Sequence, residues 1–306
     1  MTSFPTLSII VPIGPGDEAH FEAFLADLDA QTYPKHLLEV LPITEGNSEE
    51  AKALGIQRAT GDILGLFCAD NRLIDTGFLE ALVSAASAPG VVGAYPARYA
   101  WMPDDPPLNR YFALLGANDP LCWWLGKADR DSYLTPRDRQ PSLPWTRTFT
   151  GDIPSLGDNG FFVKAALIKP FVQDPSRHFC IDVCEDMRRA GLYTYAVTDH
   201  VLWHRTGLSW GTYFRKRWRY TRQLYWNQLP LRRWRMVDRP RDWAGVILFA
   251  LSSLCVLPHL WVAYCGYRRV RDPAWFLHVP VCFGIALLYT GALLEHVVRQ
   301  LWRKIC

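Results

Sequence analysis

The sequence predicts an α/β chain with a Rossmann-like, mainly parallel sheet, followed by an interfacial helical segment and a two-helix membrane hairpin. Three observations carry this. From Leu7 to Tyr95, short β-branched apolar runs alternate with segments whose apolar residues recur at helical spacing. Residues 213–241 then interleave arginines with aromatic rings. Two apolar stretches of about 20 residues, the length that crosses a bilayer, close the chain.

The strands come first. Leu7–Pro12, "LSIIVP", is a short β-branched run of the kind buried in a parallel sheet. Residues 18–31 repeat apolar side chains at Phe21, Phe24, Leu25 and Leu28, which predicts a helix. Leu38–Ile43, "LEVLPI", reads as a second strand, and Pro42 puts it at an edge or near its end. A helix over Glu49–Ala59 leads to a third strand, Ile63–Phe67. Phe78–Ala86 reads as another helix and Val91–Tyr95 as another strand. Ligands of such sheets bind beyond the carboxyl ends of the strands. "GLFCADN", residues 65–71, ends at such a place. Residues 101–156, rich in Pro, Asp and Arg, read as an insertion or a connection over the site, with two helices from "LNRYFALLG" and "DPLCWWLG".

The two long runs are 243–264 and 274–294, and neither contains Asp, Glu, Lys or Arg. Trp and Tyr sit at their ends, as at membrane interfaces. Pro258 and Pro280 are tolerable in membrane helices, with kinks. Domains are therefore expected at 1–212, 213–241 and 242–306. Arginines before the first run and after the second outweigh Arg268, Arg269 and Arg271 between them. This predicts a multi-pass inner-membrane protein with the sheet domain and the C-terminus in the cytoplasm; the basic loop leaves a re-entrant hairpin open. Residues 213–235 suit an anionic membrane surface, with rings at headgroup depth, better than nucleic acid.

Composition bounds the rest. The 306 residues hold 33 Lys+Arg against 30 Asp+Glu, so net charge alone points to no polyanionic partner. The 8 cysteines form no CxxC pair and read as free thiols of a reducing compartment. The start of the sequence carries no basic region ahead of its apolar run and no cleavage-site pattern, so no signal peptide is expected.

Seven segments in order, "LSIIVPI", "QTYP", "ITEGNS", "AKALGIQRATGDILGLFCADN" and then "GDNGFF" with "CEDMRRAG" and "WHRTGLSWGTYFRKRW", resemble the family 2 inverting glycosyltransferases of GT-A fold, over roughly residues 7–220. The resemblance implies transfer of a sugar from a UDP- or GDP-sugar, with Mg²⁺ or Mn²⁺, to a membrane-associated acceptor such as a polyprenyl phosphate or lipid-linked saccharide. Exopolysaccharide or glycolipid synthesis is the alternative within the class, and an inactive membrane scaffold of the same fold is the alternative outside it.

The resemblance also implies roles. Glu45, where the family carries an acidic pair, would accept from the base or ribose; here the pair is Thr44–Glu45. Pro12 would shape the base pocket, or simply end its strand. Asp62 of "TGD" would lie near the nucleotide, or be a turn residue. Asp70 would hold metal and diphosphate, since a hard cation prefers carboxylate oxygen. Cys68 replaces the first Asp of the motif, and a thiol is a poor ligand for such a cation. His204 would complete the metal shell or meet a phosphate, and its plain alternative is a packed strand-end histidine. Asp158, Asn159 and Gly160 would line the sugar or acceptor. Asp186 would be the general base, with Glu185 tuning or orienting it; the structural alternative is a helix-terminus charge pair. Arg217 and Trp218 fall where processive relatives contact phosphate or acceptor, but Phe214 replaces their Gln, against polymer synthesis. A nucleotidyltransferase would need a basic phosphate loop after the first strand, and "IGPGDEAH" has no Lys or Arg.

Overall fold

The computed structural model describes residues 4–136, 144–206, 209–222 and 228–305. Parts of the expected connection over the site (137–143) and of the basic segment (223–227) lie outside the described residues.

The sheet is built from β1 (Leu7–Pro12), β2 (Leu38–Ile43), β3 (Ile63–Leu66), β4 (Asn71–Leu73), β5 (Gly93–Tyr99), β6 (Trp145–Thr148), β7 (Phe161–Lys164) and β8 (Thr194–His204). Its order is β2-β1-β3-β7-β5-β8-β4, with β6 also on β8. β1 lies parallel to β2 and β3, and β5 parallel to β8. β7 runs antiparallel between β3 and β5, so five strands point one way and three the other. β2 is the edge strand, where Pro42 removes no ladder hydrogen bond. The helices of this unit are α1 (Glu18–Asp29), α2 (Ser48–Arg58) and α3 (Phe78–Ser87). They cover its faces over a core of Ile9, Phe24, Phe67, Phe78, Leu82 and Phe162. Asn47 caps α2, its side chain accepting from the Glu49 and Glu50 amides while Glu50 reaches back.

The described chain falls into two units: 4–100 with 144–205, and 101–136 with 206–305. Residues 101–136 belong with the C-terminal helices to the second unit. Their helices are α4 (Pro107–Leu115) and α5 (Pro120–Trp124). The first unit continues with α6 (Ala165–Ile168) and α7 (Cys180–Arg189). The second adds α8 (Trp210–Tyr220), α9 (Pro240–Cys255), α10 (Leu257–Arg269) and α11 (His278–Ile305). Arg110 pairs with Asp272 at 2.9 Å, and the Trp124 indole donates to the Gly245 carbonyl at 3.1 Å.

Among the described residues one helix, Pro273–Arg299, is long and apolar enough to cross a membrane. The other expected span is not straight: α9 and α10 meet at 86°. Val256 sits at the bend with φ 68°, a strained position for a β-branched residue, and Pro258 opens α10, where its missing N–H costs nothing. Pro280 lies in the first turn of α11 and so does not kink it. Ile247, Leu251, Leu254, Leu257, Trp261 and Leu294 of these helices are more than half exposed.

Two rings of the basic segment pack within the second unit. A Cβ on Gly284 would meet the Phe214 ring at 2.4 Å, and one on Gly291 the Trp218 ring at 3.5 Å. These two rings of α8 therefore rest on small residues of α11. Trp210 stays exposed.

Candidate active site

The first unit gathers its polar side chains where β3 ends. All four residues of β3 are buried, and the chain then turns through Cys68–Asn71. Two hydrogen bonds close this turn: the Asn71 amide donates to the Cys68 carbonyl at 3.0 Å, and the Cys68 amide to Asn71 Oδ1 at 2.9 Å. Asn71 is fully buried and donates on to Asn159 Oδ1 at 3.2 Å, tying the turn to the loop before β7. That loop uses left-handed backbone at Gly157, Asn159 and Gly160, and the Gly160 amide donates to the Leu66 carbonyl. A Cβ on Gly157 would come within 2.8 Å of the Cys180 carbonyl, so glycine is needed there for space as well as for φ.

Asp70 stands on this turn. Its Oδ1 is buried without a hydrogen-bond partner, and His204 Nε2 lies 3.9 Å away. β4 pairs with β8 in the register Asn71↔His204, which brings the two together from distant parts of the sequence. A buried carboxylate oxygen left without a donor is unusual in a native fold. An oxygen and an imidazole nitrogen at this separation fit a hard divalent cation whose remaining positions are water or phosphate oxygen.

Asp158 does something other than line an open loop. Its Oδ2 is 2.6 Å from Lys52 Nζ, and its Oδ1 accepts from the Asn159 amide at 2.8 Å. Lys52 reaches in from α2 with 1 % of its side chain exposed, and its second carboxylate is Glu49 at 3.8 Å. Burial works against the Lys52 ammonium, but Asp158 and then Glu49 outweigh it and hold it well above the usual lysine range. Burial likewise works against the Asp158 carboxylate; Lys52, the Asn159 amide and His204 bring it below the usual range. Lys52 is a member of the cluster that the sequence reading missed. Its signal was a lysine at Ile56 minus four, on the face of α2 that also carries Ala53 and Ile56 inward.

Cys68 is explained by the same pair. Its Sγ lies 3.5 and 3.7 Å from the two Asp158 oxygens. Burial first, and then Asp158, push the thiol far up, so it is a neutral S–H donor. A second aspartate at this position would face the Asp158 carboxylate as a like charge.

The acidic pair on α7 divides. Glu185 is buried and turns to its own helix, accepting from Arg188 Nε at 2.7 Å and Nη2 at 2.9 Å and from Arg189 Nε at 2.8 Å. Burial raises its pKa and the two guanidiniums more than reverse this, leaving it below the usual glutamate range. Glu185 is thus an anion matched by two arginines of its own helix, and its contacts are with them. Asp186 is half-buried on the next helical position. α7 is fixed at its start by Glu49, whose Oε2 accepts from the Cys180 amide at 2.9 Å, so α2, Asp158 and α7 form one connected frame.

The other expected residues lie apart. Pro12 ends β1 opposite Ile43, on the same edge of the sheet as Asp70. Glu45 follows β2 on that edge, held bidentately by Arg58 at 2.9 and 3.0 Å with both side chains about half exposed. Asp62 precedes β3 at the opposite end of the strand from Asp70, where it accepts from the Thr6 amide and hydroxyl. It ties the start of β3 to the residue preceding β1. Arg217 and Trp218 belong to the second unit. Arg217 donates to the Asn118 carbonyl at 2.6 Å and pairs with Asp119 at 3.5 Å, and Trp218 lies against Gly291.

The second unit holds a cavity of about 220 Å³ lined mainly by apolar side chains, among them Leu121, Trp234, Met236, Phe249 and Leu293, with Arg232 and Arg235 at its wall.

No family model matches this chain. No curated protein matches it in sequence. Solved structures do. The mannosyltransferase PcManGT from Pyrobaculum calidifontis, solved with GDP-Man and Mn²⁺, superposes with a TM-score of 0.51 at 14 % identity, over 96 % of this chain and 88 % of that one. More distant likenesses are GalNAc-T7, solved with UDP, GalNAc and Mn²⁺ (TM-score 0.44, 13 % identity, 80 % of this chain, 54 % of that one), and S. aureus TarS 1–349 (0.42, 10 %, 94 % and 91 %). The eight-stranded mixed sheet, five of whose strands run one way, and the superposition on PcManGT together identify the fold as α/β of the GT-A type.

Proposed function

We propose that this chain is a membrane-associated, inverting glycosyltransferase that moves a sugar from a nucleotide sugar to a lipid-linked acceptor, with Asp70 and His204 as protein ligands of a divalent cation. The observation that carries the reading is the buried Asp70 Oδ1, without a hydrogen-bond partner, 3.9 Å from His204 Nε2 at the carboxyl end of β3. The PcManGT structure of the same fold type holds GDP-Man and Mn²⁺, which supports a nucleotide sugar and a divalent metal here.

The bound cation would neutralise charge on the diphosphate as it leaves. The chain's own residues do the rest. Pro12 and Glu45 face the nucleoside; Glu45, although held by Arg58, keeps lone pairs for a ribose hydroxyl or base N–H. Lys52, Asp158 and Cys68 lock the two loops that set the position of Asp70, with Asn159 and Gly160 presenting backbone to the sugar. Asp186 takes the proton of the acceptor hydroxyl as its oxygen bonds to the anomeric carbon. The bond from that carbon to the diphosphate oxygen breaks, and the nucleoside diphosphate departs from the opposite face. Glu185 is a positioning residue, pinning α7 through Arg188 and Arg189.

The lipid acceptor is supported by the second unit: one helix long enough to cross a bilayer, a bent pair beside it, and the apolar cavity with arginines at its wall. Two arginines at the wall of an apolar cavity suit a phosphate on an isoprenoid or acyl chain. The arginine distribution favours the sheet unit on the cytoplasmic face of the inner membrane.

The test is release of nucleoside diphosphate by the purified chain in detergent, with UDP- and GDP-sugars as donors and a membrane lipid extract as acceptor. Lipid-dependent release that requires Mn²⁺ or Mg²⁺ supports the reading. Release that ignores the lipid extract removes the acceptor class, and no release with any donor removes the activity.

A further inference from the structure

The second unit contains a cluster that the proposed reaction does not use: His259, His278 and Cys282, all fully buried. One ligand atom from each lies within 4.8 Å of the others. His278 and Cys282 are one helical turn apart on α11, so they share a face. His259 comes from α10, just past the bend at Val256. Cys282 Sγ is 3.6 Å from either ring nitrogen of His278. That is about the sulfur–nitrogen separation across a tetrahedral centre with metal–ligand bonds of about 2.3 and 2.0 Å.

Each imidazole is also held from outside. The Tyr111 hydroxyl lies 2.8 Å from His278 Nδ1, which leaves Nε2 available to a ligand bond. Ser253 Oγ lies 3.1 Å from His259 Nε2 and donates to the Phe249 carbonyl at 2.8 Å. His259 Nδ1 is then buried with no hydrogen-bond partner, inside a cage of Trp124 and Phe249 rings. A histidine oriented by a hydroxyl on one nitrogen and left open on the other is the arrangement that metal-bound histidines adopt. A network meant only to satisfy hydrogen bonds would not leave that nitrogen alone in an apolar cage.

We propose that His259, His278 and Cys282 bind a borderline-soft divalent cation of the zinc type, pinning the bent α9–α10 pair to α11. On binding, the Cys282 thiol gives up its proton to solvent and its sulfur lone pair bonds the cation; no electron is transferred. The nitrogen and sulfur donor set excludes Mg²⁺ and suits Zn²⁺ or Co²⁺, so this centre differs in chemistry from the one at Asp70.

The experiment is cobalt(II) titration of the full-length chain in detergent, read by absorption. The expected result is a sulfur-to-cobalt charge-transfer band in the near ultraviolet that saturates at about one equivalent per chain and is displaced by Zn²⁺ but not by excess Mg²⁺. The band is lost in Cys282→Ser, which changes one atom, and kept in Asp70→Ala. Ser253→Ala keeps the ligands and loosens His259, so its cobalt affinity falls about 10–100-fold. Absence of the band in the wild-type chain, its persistence in Cys282→Ser, or its loss in Asp70→Ala would each overturn the proposal.

Discussion

Lys52→Met removes the cation at the centre of the Asp158 frame while keeping the length and apolar stem of the side chain. Across 2.6 Å the attraction to Asp158 is about 6 kcal/mol at an effective dielectric of about 20. Part of this is offset by the desolvation of a side chain only 1 % exposed. Asp158 itself is 29 % exposed, so solvent takes up some of its uncompensated charge in the variant. Breaking a buried pair from one side costs about 3–5 kcal/mol, and the exposure of Asp158 puts Lys52→Met at the low end, about 3 kcal/mol. For a unit of this size that lowers Tm by roughly 6–12 °C. Asp158→Asn leaves a buried ammonium facing an amide and should cost at least as much. The double variant Lys52→Met/Asp158→Asn should then be more stable than the sum of the two singles requires, because neither stranded charge remains. The assay is differential scanning fluorimetry on tryptophan emission in detergent. A Tm change under about 2 °C for Lys52→Met, or strict additivity in the double variant, would refute the coupling.

Three further outcomes follow from the same geometry. Cys68→Asp, which restores the usual acidic motif, should weaken Mn²⁺-dependent nucleotide binding, because the new carboxylate meets Asp158 where a neutral thiol now donates; tighter binding in a calorimetric titration would contradict this. Asp186→Asn should abolish transfer and leave donor affinity within about threefold, whereas Glu185→Gln should lower Tm and only partly reduce kcat, and near-normal turnover in Asp186→Asn would remove the base assignment. His200 lies 3.0 Å from both Asp75 oxygens, and that hydrogen bond, outweighing burial, raises its pKa. A raised histidine contributes stability that is complete below about pH 6.5 and is lost as pH rises through the folded value. Both side chains are more than a third exposed, so the gain is under about 1 kcal/mol. His200→Gln should flatten the change in Tm above neutrality, and an unaltered slope would exclude the pair as its source.

The N-terminal half was the more legible part. β1 and β2 run over the residues the pattern marks: β1 is buried along its whole length, as a continuous apolar run requires, and Pro42 marked β2 as an edge strand. The antiparallel insertion of β7 between β3 and β5 was not legible, since a four-residue buried strand carries no sign of its direction. The residues Asp70, His204, Asp158 and Asn159 were marked by motif and converge in space. What each touches was hidden, because Lys52 comes from a helix more than 100 residues away from Asp158. Asp62 and Asp70 stand at opposite ends of the strand the pattern marked, and the contact of Asp62 with Thr6, 56 residues away, was not legible in the motif. The first apolar stretch met the length criterion for a span, yet length says nothing of a break at Val256, which Pro258 only hinted at.

The central claim is that Asp70 holds the cation that holds the nucleotide, and the most direct test is isothermal titration of GDP and UDP into the full-length chain in detergent with Mn²⁺ or with EDTA. The wild-type chain should bind at least one of the two only with Mn²⁺, and Asp70→Ala should lose at least about tenfold in affinity, about 1.4 kcal/mol. Binding by Asp70→Ala equal to the wild type, or wild-type binding undiminished in EDTA, would contradict the account.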